Sequence, residues 1–584
     1  RDAGLHWTSL GFNARTNGTK AVSVAMLPIS NAANAPETLT VFLSHSIYGT
    51  AYIQPDSTNP VWIDMTNGFE ALSTLDNMDE VSDILAVQER QSNGTYKTEV
   101  YFTQSFLPRL YRLNWAEKKA ELIAQSSEPL NTWDSLTQVG SDLAFVTMND
   151  TIRFFSPTSE TFIDTQKSSA KRAVSDILKK SKTTPNCAWL PSSITGISNA
   201  FGLSELWMTD TQGLSNKYSR FTEDKRSLYV PSSELRTQAG MTKYIDTLKE
   251  NNLNSLVVDM KDDKGVLRYQ SEDPLVKEKA FTSRYALDIE NFIQTFKNND
   301  IYLIARIVVF KDPNLYAYNN GKYAVWDNTT NAPWLGIRGY TEEQTATYYD
   351  EQWVDPYSHE VWEYNVAIAK ELIALGFDEI QFDYIRFPTD GYNLDNASYR
   401  WQDAGMEKES ALVSFLSYAR KNIQAPIGVD IYGVNGWYRS GSRTGQEVEL
   451  LAPYVDVICP MFYPSHFEQY FLAYEPIAER PYRIYFYGTY RNAVIARNKV
   501  LIRPWLQSFY LNVSYDREFY DSDYVQRQVF GVRDATDTGY MYWNNVGRYD
   551  EVRPDIGTAQ ENTPYPWKKA THEEIDSIPV FLNN

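Results

Sequence analysis

The sequence is short of cysteine, histidine and long apolar stretches. Only two cysteines, Cys187 and Cys459, occur in 584 residues, so disulfides do not build the fold. Five histidines lie scattered at His6, His45, His359, His466 and His572. No His-x-x-x-His pair is among them, which argues against a histidine-rich zinc centre, and no cofactor or metal is expected. No apolar run approaches the ~20 residues that span a bilayer. Positive charge is also in deficit, since 55 Lys+Arg against 74 Asp+Glu leave a net charge of −19. Such a surface repels phosphate backbones and makes nucleic acid a poor partner.

What is abundant is aromatic: 41 Tyr, 27 Phe and 15 Trp make up 14% of the chain. Their ring faces stack on sugar C–H surfaces, and Tyr and Trp add a polar handle, so carbohydrate is one expected partner, although composition alone is met more simply by large cores and sticky surfaces. With 43% hydrophobic and 22% charged residues, a chain of this length buries real cores and holds two or three domains. It begins at Arg1 rather than Met, which gives the expectation of an exported protein whose leader was removed.

Residues 1–165 carry short β-branched and aromatic runs at 39–43, 100–103 and 143–147, separated by turn residues. Runs 144–148 and 151–155 flank Asn149-Asp150 as a hairpin. A β-rich amino-terminal domain is expected, propeller-like or a sandwich, completed by 187–222 with a strand at 206–208. Residues 166–186, with Lys167, Lys171, Arg172, Lys179, Lys180 and Lys182 among Ser and Thr, read as a linker holding a short helix near 174–178. From 225 to 550 the rhythm changes. Strands are expected at 227–230, 255–261, 302–310, 379–387, 426–433, 455–463, 500–507 and 539–543, with helix-length stretches between them. The clearest helix is 358–375, where Val361, Val366, Ala369, Leu372 and Ile373 form one stripe and Ser358 is placed to cap the start. Eight such units predict a (β/α)8 barrel. No Gly-rich dinucleotide fingerprint follows the first strand. Residues 551–584 are expected to pack on the barrel as an extension.

In a barrel one parity of each strand faces the helices and the other faces the axis. The axial set carries Asp259 and Lys261, Arg306, Gln381 and Asp383, Asp430 and Tyr432, and Arg503, Trp505 and Gln507. Charges on that parity carry a desolvation cost, so they are expected as a paired cluster in a wet pocket at the carboxyl-terminal face. Asp383 and Asp430 lie late on consecutive strands, within one sugar ring's reach of each other. Two carboxyls flanking a small space are what glycoside hydrolysis uses, one giving a proton to the leaving oxygen and one attacking the anomeric carbon or activating water. Asp456, at the amino-terminal end of its strand, is structural. Tyr432, Tyr463, Trp505 and Trp543 are expected at inner sugar subsites. The long loop 313–353 is expected to supply stacking platforms from Tyr316, Tyr318, Tyr323, Trp326, Trp334, Tyr340 and Trp353, joined by Tyr392, Tyr399 and Trp401 from 389–401.

Five motifs then occur in order: 257–265 (VVDMKDDKG), 305–312 (ARIVVFKD), 353–357 (WVDPY), 376–388 (GFDEIQFDYIRFP) and 457–466 (VICPMFYPSH). Over about 225–550 the chain resembles a bacterial family of glycoside hydrolases, long catalogued as a domain of unknown function and distantly similar to α-amylase-like barrels. The resemblance implies a TIM barrel, cleavage of an oligo- or polysaccharide with α linkages, and a retaining mechanism with Asp383 as nucleophile. Those enzymes carry a Glu acid on strand five; here the matching residue is Asp430, one methylene shorter. Asp259, Lys261, Arg306, Arg386, Arg503 and Gln507 are expected to hold sugar hydroxyls or acidic substituents, with Gln381, Tyr384 and His466 as further contacts. Arg386 has the parity opposite to Asp383, so its place depends on how the strand end bends. Three rivals stand beside this reading: a non-catalytic carbohydrate-binding protein on a barrel scaffold, a metal-dependent deacetylase using Asp259 with Asp262 or Asp263, and a protein-binding propeller for which the barrel is only support.

Overall fold

The computed structural model describes residues 19–163 and 218–553 less short internal stretches (33, 46–48, 70–80, 127–131, 140, 148–151, 438–442, 476, 497–499, 518, 521–522 and 551), together with 10–11 and four two-residue strands between 187 and 210. The linker expected at 166–186 with its helix, most of the strand at 206–208 and nearly all of the extension at 551–584 lie outside the described residues. The chain divides into two compact units, the second beginning at Gly213.

The first unit is built from three consecutive antiparallel meanders of four strands each. They are β1 (Thr19–Pro28), β2 (Glu37–His45), β3 (Gly49–Ile53) and β4 (Ile63–Asp64); β5 (Val81–Arg90), β6 (Tyr96–Gln104), β7 (Arg109–Asn114) and β8 (Lys119–Gln125); β9 (Trp133–Val139), β10 (Asp142–Thr147), β11 (Ile152–Ser156) and β12 (Thr161–Ile163). One apolar layer, with Phe42, Tyr52, Phe102 and Tyr111, joins the first two meanders. A second, with Tyr101, Leu110, Trp133 and Phe145, joins the second to the third. Four-stranded meanders packed in series are the repeating unit of a propeller.

The second unit is a closed barrel of eight parallel strands: β13 (Lys225–Tyr229), β14 (Ser255–Lys261), β15 (Tyr302–Val308), β16 (Glu379–Asp383), β17 (Ile427–Tyr432), β18 (Val457–Met461), β19 (Leu501–Ile502 continued by Trp505–Gln507) and β20 (Gly539–Trp543). Lys225 pairs with Gly539 and closes the ring. Helices α1 (Gln238–Glu250), α2 (Ile289–Lys297), α3 (His359–Leu375), α4 (Lys408–Asn422), α5 (Arg480–Ile495) and α6 (Tyr524–Ala535) occupy the connections, with a one-turn helix, Val448–Leu451, after β17. Strands covered by helices outside and side chains inside are buried on both faces, and all seven residues of β14 are.

Three local expectations need correcting. Strand four ends at Asp383, four residues early, because Tyr384 takes a left-handed φ of 51°. Strand seven is interrupted around Pro504, which has no N–H for a ladder. Ser358 occupies the N-cap of α3, yet its hydroxyl makes no capping bond. Asp312 instead shows how a cap is used here: its Oδ1 accepts from Leu315 N at 2.8 Å and starts the short helix Pro313–Ala317.

Candidate active site

Each barrel strand delivers its last axial side chain to the same face, and here four consecutive strands converge on one guanidinium. Arg306 on β15 donates from Nη1 to Asp259 Oδ1 on β14 at 2.5 Å. Its Nη2 and Nε both donate to Asp383 Oδ2 on β16, the latter at 3.1 Å. The same Nε lies 3.7 Å from Asp430 Oδ2 on β17. The Asp383 and Asp430 carboxyl groups therefore approach, oxygen to oxygen, no farther apart than those last two distances summed. Tyr229 on β13 completes the ring by donating to Asp259 Oδ2 at 2.7 Å.

One cation cannot balance three carboxylates in a dry site. Burial first, and then the Asp383 charge, push the Asp430 carboxyl well above the usual carboxylate range. Burial also raises Asp259, against the pull of Arg306. The two oxygens of Asp430 are not equivalent. Oδ1 accepts from Gln381 Nε2 at 2.5 Å and from Trp505 Nε1 at 2.7 Å. Oδ2 has no hydrogen-bond partner among the described residues.

Above these groups opens a pocket of about 480 Å³. Asp383, Asp430 and Arg306 line it, and Tyr432, Tyr463, Trp505 and Trp543 form aromatic wall. The left-handed turn at Tyr384 puts both its own ring and Arg386 into the lining; had the strand stayed extended, Arg386 would face the helices. A bulky residue in that conformation costs about 1 kcal/mol or more, and such strain collects at functional sites. The Tyr384 N–H is used to fix the neighbouring carboxyl, donating to Asp383 Oδ1 at 2.5 Å. His466 also lines it, with Nδ1 3.1 Å from Ser465 Oγ, and burial lowers its pKa toward the neutral imidazole. Asp259 and Gln381 stand one contact behind the lining, holding Arg306 and Asp430.

Four expected site residues lie elsewhere. Lys261 follows a β-bulge: Asp259 pairs with Arg306, but Lys261 pairs with Ile307, of the other parity. Its ammonium therefore points outward, to Asp312 at 2.7 Å and Asn365 of α3 at 2.9 Å, and burial lowers its pKa. Arg503 is axial but two positions below Trp505, in the bottom layer, where it pairs with Glu379 and donates to Thr222 Oγ1 at 2.8 Å. Gln507 is tied to the loop after β18, accepting from Ser465 N and Oγ at 3.2 and 3.0 Å. Trp326 stacks under Arg400 at 4.0 Å, away from the pocket. Of the long loop's other rings, Tyr323 and Trp334 are buried in the loop and Trp353 packs behind the pocket wall against Tyr384 and Arg386; none of its aromatics lines the pocket.

Gln446 was not anticipated. Its Nε2 donates to Ile385 O and Asp430 O at 3.2 and 3.1 Å, and its Oε1 accepts from Tyr432 N at 3.1 Å. It clasps the ends of β16 and β17 beneath the pocket. Lying in a connection with no strand parity, it carries no sequence signal for that role. Arg443, at the rim, is equally silent in the sequence.

Residues 227–549 match the family model described as "Putative glycosyl hydrolase domain". No curated protein matches the chain. Among solved structures, a hypothetical protein from Ruminiclostridium thermocellum ATCC 27405 is 32% identical over 35% of this chain and 96% of its own, with a TM-score of 0.30. The PgaB (BpsB) glycoside hydrolase domain from Bordetella bronchiseptica is 12% identical over 55% of this chain and 94% of its own, with a TM-score of 0.38. The α-galactosidase TtGalA from Thermus thermophilus is 9% identical over 91% and 92% of the two chains, with a TM-score of 0.37.

Proposed function

Because the chain belongs to the glycosyl hydrolase domain family whose model spans its barrel, we propose that the pocket cleaves an α-linked oligo- or polysaccharide with retention, Asp383 acting as nucleophile and Asp430 as general acid. One observation carries this: two carboxyls from neighbouring strands meet at a single guanidinium and are left unequal, Asp383 ion-paired and Asp430 pushed toward its protonated form. An acid and a nucleophile are made from two identical side chains in this way. An Asp383 oxygen attacks the anomeric carbon as the glycosidic C–O bond breaks, and the leaving oxygen takes the Asp430 Oδ2 proton. Water then gives a proton back to Asp430 and displaces the sugar from Asp383. The limit on the carboxyl separation falls at the lower edge of the ~6.5–9.5 Å of inverting pairs, which leaves room for the about 5–5.5 Å of retaining ones. Tyr432, Tyr463, Trp505 and Trp543 stack against the sugar rings.

The test is product analysis on a panel of α- and β-linked polysaccharides with wild type, Asp383→Asn and Asp430→Asn. Each variant should lose on the order of 10³-fold or more in kcat while ligand binding persists. The first product, followed by NMR, should keep the substrate's anomeric configuration. Turnover that survives both substitutions overturns the proposal.

One observation favours a second reading, a non-catalytic sugar binder. The Asp430 side chain has 0% exposure, whereas an acid has to touch its leaving group. Under that reading oligosaccharides bind, no new reducing ends appear, and Asp430→Asn changes only stability.

A further inference from the structure

The chain has a net charge of −19, yet its pocket is lined by three guanidiniums and two carboxyls, one of which is pushed toward neutrality. Two of the cations are accounted for. Arg306 is shared among Asp259, Asp383 and Asp430. Arg443 stands at the rim, its side chain 69% exposed, 4.0 Å from Asp390. Arg386 is different. It is 7% exposed, and among the described residues no carboxylate pairs with it. Its Nη1 donates to Phe387 O at 3.1 Å and Thr389 Oγ1 at 3.5 Å; its other nitrogens have no acceptor among the described residues. The rings of Trp353, Tyr384 and Tyr432, at 4.5, 5.2 and 4.8 Å, hold the guanidinium in place. A buried cation without an anion is costly, and a planar fork fixed by rings is pre-organised for an oxyanion.

We infer that the pocket recognises an acidic sugar, with Arg386 binding an anionic substituent of the residue next to the scissile bond. This deepens the hydrolase reading and rests on it for what happens after binding. The shared chemistry is a sugar-borne oxyanion, either the carboxylate of a uronic acid or a sulfate ester.

The experiment is calorimetric titration of the full-length Asp383→Asn protein with three oligosaccharides of equal length: a glucuronate-containing one, its carboxyl-reduced neutral counterpart, and an O-sulfated form of that neutral chain. At least one acidic probe should bind about 10- to 100-fold more tightly than the neutral one, with the advantage shrinking as salt rises. Which acidic probe wins identifies the substituent. Adding R386Q should bring the three affinities within about two-fold. The charge-keeping R386K should retain part of the preference, and the salt series without any Arg386 change stands even where R386Q fails to fold. Equal affinities, no binding of any probe, or a preference that survives R386Q in a folded protein each overturn the inference. A wild-type protein that prefers the acids but cleaves none of them sinks the hydrolase reading alone. Cleavage of neutral chains with no acid preference sinks the inference alone.

Discussion

The barrel buries two arginines on its axis, one near each end, and they sit in opposite company. At the bottom, Arg503 meets a single carboxylate, Glu379, and donates to Thr222, its Nε finding no partner among the described residues, and all of it is sealed from water. At the top, Arg306 meets three carboxyls, and one of them, Asp430, is left with an oxygen that no described residue satisfies. A matched pair has nothing to exchange and serves to lock strands together. An outnumbered cation leaves the Asp430 carboxyl pushed above the usual carboxylate range, and a shifted acid beside an ion-paired carboxyl is what acid–base chemistry uses.

The contrast can be broken most severely at the top. Asp383→Asn should lower kcat by about 10³- to 10⁴-fold, while the melting temperature, read by calorimetry, moves little. The bottom should give the reverse. Arg503→Met leaves Glu379 buried with only the Thr222 and Tyr302 hydroxyls and no ion-pair partner, and should cost about 3–5 kcal/mol of unfolding free energy in denaturant titration. A second change, Glu379→Leu, should restore much of that. Gln446→Ala strands several buried partners at the ends of β16 and β17 and should cost about 2 kcal/mol, with KM rising as the pocket floor loosens.

The smallest effect is in pH. Asp430 and Asp259 have folded pKa values above their unfolded ones, so the stability they contribute is full below the unfolded value and is lost as pH rises through the folded one. Activity should follow on the same side, with kcat/KM falling on the alkaline limb as Asp430 gives up its proton. An alkaline limb that persists unchanged in Asp430→Asn would remove Asp430 from the acid's role.

Much of the barrel was legible because its signal is local. Short apolar runs such as 255–261 and 539–543, spaced by amphipathic stretches, coincide with β14 and β20 residue for residue. Strand parity was enough to bring Asp259, Arg306, Asp383 and Asp430 together, since a regular ladder carries parity from one strand to the next. It misplaced Lys261, where one extra residue shifts the register. Parity also says nothing of depth, which is why Arg503 belongs to the bottom layer. The loop aromatics were misread because a ring that packs a long loop and a ring that stacks on sugar have the same sequence signature.

The bulge at Met260 has a consequence for how such a pocket diversifies. Met260 is the extra residue that sets Lys261 opposite Ile307 rather than Val308. A strand that kept Met260 within the plain ladder would bring the Lys261 ammonium to the axial parity, beside the carboxyl cluster. Register alone, with no change of residue type, decides whether this lysine is a structural rivet or a pocket cation.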